Sequence, residues 1–533
     1  MPRMPRPPGP GVDLTGATKI PDLLRRAMSL HNHGDIRQAA IGYRRVLDLA
    51  PNHFDATHLL VVVYAQDGNL NAARDLFASA LRLRPGHAEV HFNRGTMEKS
   101  AGEFEAAIAD FDIAINTVPN HAGALNNRSL TLQHMRRFGD AISDSDRLIE
   151  INPDDPVIWN NRGTLLLDAL RLDEALDCVD RAIRLRPDYS EALNNRGNIL
   201  KELHRFDEAL RDYNDAIALD PDFAGPYFNK SILLLLLGDY EEGWRLWEWR
   251  WQQRRLTSPK RDFAQPQWTG DGDITGKIIL LHSEQGLGDT IQFIRYAPLV
   301  AERGARVIVE APAGLHPLIR TVDGIDKLVG KDETLPSFDL HCPMMSLPLA
   351  VNTTVATIPA PTAYIKPSSR RIEAWLQRLG SSSKPRVALA WRGNPRNTND
   401  HNRSARLADI ERRLSDEYEW ICLHKDLQGP ETAIAARIGQ LEVPLDGDTT
   451  LEDAAALCAL CDLVVTVDTS YAHIAGAMGK AVHVMLPFTP DHRWMMERQD
   501  TPWYPSMTLH RQDEDRDWDK VMRQVVSDLG KRV

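Results

Sequence analysis

Three turns in the second half of this 533-residue chain carry residue types that can move protons or hold phosphate. The first is "SEQGLGD", 283–289, where an apolar run ends, Gly286 and Gly288 open a tight turn, and Asp289 stands where a helix begins. A glycine pair lets a ligand come close to backbone N–H groups. The acid and the missing third glycine argue against a dinucleotide site. Two roles are open to Asp289: a plain N-cap, or a carboxylate aimed into a cleft as a general base. The second turn lies in "VVTVDTSYAHIAGAMGK", 464–480. Asp468 ends a strand there, and Thr469 and Ser470 open a helix whose N–H groups and hydroxyls form an anion site that needs no metal. Asp468 suits a sugar or ribose hydroxyl, and His473, one turn in, touches the phosphates or simply packs. An ordinary capped helix is the plainer alternative. The third, "AWRGNPRNTNDHNRS", 390–404, runs a strand into a long polar loop. Trp391, Asn394 and Arg403 are its candidate ligand contacts, with Arg403 the best cation for a diphosphate; a flexible loop is the alternative. No metal site is expected. The two "DGD" triplets, 271–273 and 446–448, read as turns, and Cys458 and Cys461 form a lone CxxC without a second pair.

These turns need strands behind them and helices ahead. "KIILLHS", "ARVIVEA", "RVALAWRGN", "EWICLHKD", "DLVVTVDTS" and "AVHVMLP" read as strands, with helical patterns such as "DTIQFIRYAPLVAERG" and "LEDAAALCAL" between them. "FDLHCPMMSLPLAV" continues the alternation less clearly. Strand–helix alternation implies parallel sheets with ligands at the carboxyl ends of the strands. A Pro/Ser-rich gap at 358–369 splits the region in two. The expected parts are a polar linker (258–275), an acceptor-side Rossmann-like domain (276–366) and a donor-side Rossmann-like domain (367–533), with a cleft between the last two.

The first half is a repeat. Prolines at 51, 85, 119, 153, 187 and 221 and alanines at 39, 73, 107, 141, 175 and 209 keep one 34-residue step. This is the tetratricopeptide signature, in which the small residue lets two helices approach and the proline ends the second. Six repeats and a degenerate seventh cover 20–257, after a proline-rich stretch (1–19) expected to be a disordered tail. Such units stack into an all-α superhelix with a concave face. Asn93, Asn127, Asn161, Asn195 and Asn229 keep the same step in the first helix of each pair. They suit either an extended peptide backbone or the backbone of the neighbouring repeat. The seventh unit ends in "GWRLWEWRWQQRR", whose Trp244, Trp247 and Trp251 fall on one helical face. That face is expected to dock the repeats onto the next domain, since a solenoid end must be capped.

A net charge of −11 disfavours nucleic acid as the main partner. The start is not expected to be a secretory signal, and the longest apolar run, "ILLLLL", falls far short of about 20 residues for a bilayer. With few cysteines, read as reduced thiols, these features point to the cytoplasm.

"SEQGLGDTIQFIRYAPLV", "AWRGNPRNTNDHNRS" and "VTVDTSYAHIAGAMGKAVHVMLPFTPDHRW" resemble the bacterial heptosyltransferase-type glycosyltransferases, in particular the branch with N-terminal tetratricopeptide repeats. The plan also resembles the protein O-GlcNAc transferases, as does the asparagine column. The resemblance covers about 276–515 and implies a GT-B fold of two Rossmann-like domains. It implies inverting, metal-independent transfer from a nucleotide-diphosphate sugar, a co-substrate rather than a resident cofactor. Asp289 would then be the base and Asp468 a donor ligand, with the residues after it near the diphosphate. Arg403 stands where the family more often has a lysine. The acceptor would be a protein or peptide chosen by the repeats. The competing expectation is a scaffold whose transferase half is inactive.

Overall fold

The computed structural model describes residues 16–253, 258–395, 397, 399–427 and 429–530. Of the expected tail, residues 1–15 lie outside the described residues, and the first helix begins at Gly16. Residues 254–257, at the expected end of the repeats, also lie outside. The chain divides into two compact units, Met1–Ile199 and Leu200–Val533.

The repeats are helical hairpins. The second helices end at Leu49, Leu83, Thr117, Ile151, Leu185 and Leu219, each two residues before a proline of the 34-residue column. The alanines of the column are all fully buried, as close helix–helix contact requires. The turn inside each hairpin needs one left-handed residue, and these too keep the step: Gly34, Gly68, Gly102, Arg136, Leu170, His204 and Gly238. A side chain in that conformation costs about 1–2 kcal/mol, which glycine avoids. Arg136 is exposed. Arg136→Gly is therefore expected to stabilise the protein by roughly 0.5 kcal/mol, after allowing for the freedom glycine adds to the unfolded chain. Arg136→Val should destabilise it by about 1 kcal/mol. Thermal midpoints in the opposite order would show that the turn carries no such strain.

Within the first unit three of the column asparagines reach back one repeat, to side chains rather than backbone. Asn93 Nδ2 bonds His58 Nε2 at 2.9 Å, Asn127 Nδ2 donates to Thr96 Oγ1 at 3.0 Å, and Asn195 Nδ2 donates to Asn160 Oδ1 at 2.9 Å. The arginine after each asparagine pairs with an aspartate 16 residues away: Arg94 with Asp110, Arg128 with Asp144 and Asp112, Arg162 with Asp146, Arg196 with Asp180. Asn161 and Asn229 are half-buried like the others.

In the second unit, four strands form one parallel sheet: β1 (Ile278–His282), β2 (Arg306–Ala311), β3 (Lys327–Gly330) and β4 (Leu340–Pro343), in the order β3-β2-β1-β4. Six form another: β5 (Arg386–Ala390), β6 (Glu419–Cys422), β7 (Leu441–Glu442), β8 (Leu463–Val467), β9 (Val482–Leu486) and β10 (Met507–Arg511), in the order β10-β9-β8-β5-β6-β7. We call these the first and second lobes. Chain order reverses at β1/β4 and at β5/β8, and such switch points open a crevice at the carboxyl ends of the strands. All-helical repeats followed by two parallel α/β lobes match the expected fold class. The stretch 258–275 is not a free linker, since Gln267 bridges to His341 and Trp268 is buried. The expected long helix after β1 is broken into Leu287–Phe293, a 3₁₀ turn and Ala297–Glu302.

The tryptophan face docks as expected, with one correction. Trp244 and Trp247 are buried, and Trp244 meets Phe293 of the first lobe edge-on. The helix ends at Trp247 and tightens to 3₁₀ over Glu248–Gln252, so Trp251 leaves that face and stays half-buried under Arg250.

Two histidines are sealed beside the strand ends. Burial pushes His282 and His424 each down to about 3. His424 Nε2 accepts the Trp391 backbone N–H. Unfolding lets them bind protons near pH 6.5. Their contribution to stability is therefore full above about pH 6.5 and is lost progressively between there and about pH 3. His424→Gln, which keeps an acceptor for that N–H, should remove one proton's worth of this pH dependence, about 1.4 kcal/mol per pH unit below 6.5. Denaturant midpoints of wild type and variant that run parallel from pH 7 to 5 would refute it.

Candidate active site

Asp289 occupies the third position of the helix Leu287–Phe293, not its cap. Its Oδ2 accepts the Gly286 N–H at 2.9 Å, satisfying one free donor of the helix start. The left-handed residue of the turn is Gln285, so the glycines serve another purpose. A Cβ on Gly288 would lie 2.7 Å from His473 Cδ2, in the second lobe. Gly288 is what lets the two helices close on one another at this point.

The other Asp289 oxygen faces the second lobe. Oδ1 accepts Arg493 Nη2 at 2.9 Å. The same guanidinium donates through Nε to Asp491 Oδ1 at 2.8 Å and through Nη1 to His473 Nε2 at 3.1 Å. A guanidinium cannot accept, so the His473 proton sits on Nδ1, which donates to the Tyr504 hydroxyl at 2.8 Å. Burial drives the His473 pKa far down, with Arg493 adding to the effect, so the ring is neutral. Burial alone would lower Arg493, but Asp491, Asp289 and Asp468 outweigh it and hold the guanidinium above its ordinary value.

The two acids of the second lobe are pushed apart. Burial raises the Asp468 carboxyl, with Asp491 adding to it, against the pull of Arg493 and Arg403. For Asp491 burial is overcome by Arg493 and His492, which hold it well below the usual carboxylate range. Such divergence is a mark of groups with different jobs at one site.

The expected donor residues fall into three groups. Asp468, Thr469, Ser470 and His473 lie together at the end of β8 and the start of the helix Ser470–Ala477. Thr469 caps this helix and its hydroxyl is committed. Thr466 Oγ1 donates to the Val467 carbonyl, so Thr469 donates to Thr466 and accepts the Tyr471 N–H. The Ala472 N–H also goes to Thr469, through its carbonyl, so it is the N–H and hydroxyl of Ser470 that are left to face an anion. Arg403 sits at the end of the loop after β5, with Nε on Asp400 at 3.3 Å and within electrostatic reach of Asp468. Asn394 is exposed in the same loop, whose residues 396 and 398 lie outside the described residues. Trp391 is a correction: its side chain is wholly buried in the second-lobe core and its Nε1–H goes to Glu431 at 2.7 Å. A long polar stretch after a strand does not show which aromatic turns inward. Arg493 and Asp491 were not expected, although "PDHRW" follows a buried strand, the position where the other two turns stand out. A concavity of about 400 Å³ lined by His401, Ser404, Arg406, Asp409 and Arg516, among others, includes neither Asp289 nor Asp468.

At the first lobe's switch point the crevice is filled from within the chain. Arg250 is fully buried there and donates to both oxygens of Glu284, at 3.1 and 2.8 Å, to Glu248 and to Ser346 Oγ. Glu284 also accepts the Met345 N–H at 3.1 Å. No helix among the described residues is long and apolar enough to cross a membrane.

Comparison with known proteins follows the same division. Residues 411–519 match glycosyltransferase family 9 (heptosyltransferase), a span that holds Asp468, His473, Asp491 and Arg493. Residues 24–88 and 190–223 match tetratricopeptide repeats. The chain is 25% identical over 332 residues to protein FlbA of Caulobacter vibrioides, covering 55% of this chain and 53% of that protein. It thus spans about half the length of that curated relative. Among solved structures, Pseudomonas aeruginosa pilF is 18% identical with a TM-score of 0.35, over 40% of this chain and 96% of its own. A tetratricopeptide repeat protein from Parabacteroides merdae is 18% identical with a TM-score of 0.39, over 43% and 91%. These two likenesses are too distant to argue from. Tetratricopeptide repeats thus stand in one chain with a two-lobed α/β region consistent with GT-B, of which residues 411–519 match glycosyltransferase family 9 (heptosyltransferase).

Proposed function

We propose that this protein transfers a sugar, with inversion, from a nucleotide-diphosphate sugar to an acceptor hydroxyl on a protein or peptide held by the repeats. The observation that carries this reading is the meeting of the two lobes at Asp289, where Gly288 closes on His473 and Arg493 joins His473 to the Asp289 carboxylate. The acceptor oxygen attacks the anomeric carbon as the bond to the diphosphate breaks. The hydroxyl proton passes to Asp289, and the bonding pair leaves with the diphosphate. The Ser470 N–H and hydroxyl, at the positive end of the helix, and Arg403 meet the charge that develops there. Asp468 is suited to a sugar or ribose hydroxyl. Each column asparagine offers one acceptor and two donor hydrogens. Asn127 spends its acceptor on Lys99 Nζ and one donor hydrogen on Thr96, and its second donor hydrogen suits an extended backbone.

A panel of ADP-, GDP- and UDP-sugars tests the reading by thermal stabilisation and by release of the diphosphate. Arg403→Ala should weaken binding of the active diphosphate by about tenfold, the scale of one charged hydrogen bond. Failure of every nucleotide to bind would leave the repeats as the working part.

A further inference from the structure

The guanidinium of Arg493 has three partners, and they are unlike one another. Asp491, two residues back, and His473 belong to its own lobe, whereas Asp289 comes from the other lobe, 204 residues away. Its side chain is 11% exposed and that of Asp289 is 14% exposed. His473 is the fourth residue of the helix Ser470–Ala477, so the ring that Arg493 bonds springs from the first turn of the helix at whose mouth a diphosphate would sit. Three carboxylates, Asp289, Asp468 and Asp491, act on this one cation. Such a surplus of negative charge opposes an anion unless a cation turns towards it. A forked guanidinium matches a diphosphate in shape and charge.

The backbone that carries Arg493 is held on both flanks. Phe488 stacks on His204 with ring centres 3.8 Å apart, and His492 packs between Trp244 and Trp247. Met495 and Glu497 are both left-handed, a strained conformation that the surroundings must enforce. With the loop pinned in this way, the long side chain of Arg493 is the part free to change partner.

We propose that Arg493 is shared between the base and the donor: the diphosphate of the nucleotide sugar competes with Asp289 for the guanidinium, and in taking it opens Asp289 Oδ1 to the acceptor hydroxyl. Donor binding would thereby both fasten the leaving group and arm the base, which favours donor before acceptor. This rests on the reading of Asp289 as base and of the Ser470 helix mouth as the diphosphate site.

The test is calorimetry of the full chain with ADP, GDP and UDP. Asp289→Asn removes the charge that competes for Arg493 while keeping an acceptor for the Gly286 N–H. It should bind whichever diphosphate the wild type binds about tenfold more tightly. In an Arg493→Gln background the same substitution should give no gain. Equal affinity of wild type and Asp289→Asn would overturn the proposal. So would a gain of the same size in the Arg493→Gln background, because that is the effect of bulk charge and not of a shared partner. Should Arg493→Gln fail to fold, Arg493→Lys replaces it. A lysine has one compact head and cannot hold Asp491 and Asp289 together, so the gain should shrink by at least threefold, and an undiminished gain would refute the proposal. If the wild type binds none of the three diphosphates, the glycosyl-transfer reading falls with it. If it binds one but Asp289→Asn changes nothing, that reading stands and the sharing of Arg493 does not.

Discussion

Asp289→Asn is expected to slow glycosyl transfer by about 10³-fold, within the range that a positioned general base supplies. The substitution is nearly isosteric. Asparagine still accepts the Gly286 N–H through its oxygen, so the turn "SEQGLGD" should keep its shape and the thermal midpoint should move little. What is lost is a group that can take the acceptor's proton. If the same variant also holds the diphosphate more tightly, the Michaelis constant for the donor falls together with the turnover number. That combination separates a lost base from a damaged site, which would weaken binding as well. Diphosphate release is the measurement, using the donor identified from the nucleotide-sugar panel. A variant that retains wild-type turnover would remove Asp289 from the chemistry.

The second large effect concerns stability. Arg250→Met should destabilise the second unit by about 3–5 kcal/mol, because it strands a buried carboxylate. Glu284 has a side chain only 2% exposed, and burial already raises its pKa against the opposing pull of Arg250. Without the guanidinium, Glu284 must either stay charged without a partner or take up a proton. The penalty should therefore be largest near pH 7 and shrink as the pH falls through the raised pKa of Glu284. Adding Glu284→Gln to Arg250→Met should recover part of the loss. Eleven of the twelve tryptophans lie beyond residue 199, so their fluorescence during urea unfolding reports on this unit. A shift of the midpoint equivalent to less than about 1 kcal/mol would mean that water reaches Glu284. Because Glu284 stands two residues before Gly286, the single variant should also loosen the turn that aims Asp289.

What could be read from the chain alone was whatever repeats or is locally enforced. The alanine column is buried in every repeat because two helices of one hairpin must touch at that residue, whatever surrounds the hairpin. Proline ends each second helix through its own ring and missing N–H. The central strands β1, β2, β5, β8 and β9 are apolar runs buried on both faces, so their composition betrays them. The strands without such a signal, β3, β7 and β10, all stand at sheet edges. An edge strand is short and covered on fewer sides, and its partner rather than its composition makes it a strand.

The site divides along the same line. Asp289, Asp468 and Ser470 were legible because a strand end followed by a helix start is a local arrangement that exposes N–H groups. Trp391 was misread, since burial of an aromatic beside a polar loop depends on Glu431 and on the sheet beneath it. Arg493 and Arg250 show the deeper limit. A sequence gives the charge of an arginine but not its partner, and Arg493 finds Asp289 across 204 residues. Local chemistry determined the repeats, the two sheets and the strand-to-helix turns. Only the packing of one lobe on the other decided which charges meet, because a Coulomb interaction depends on distance in space and on burial, and neither is written in the order of the residues.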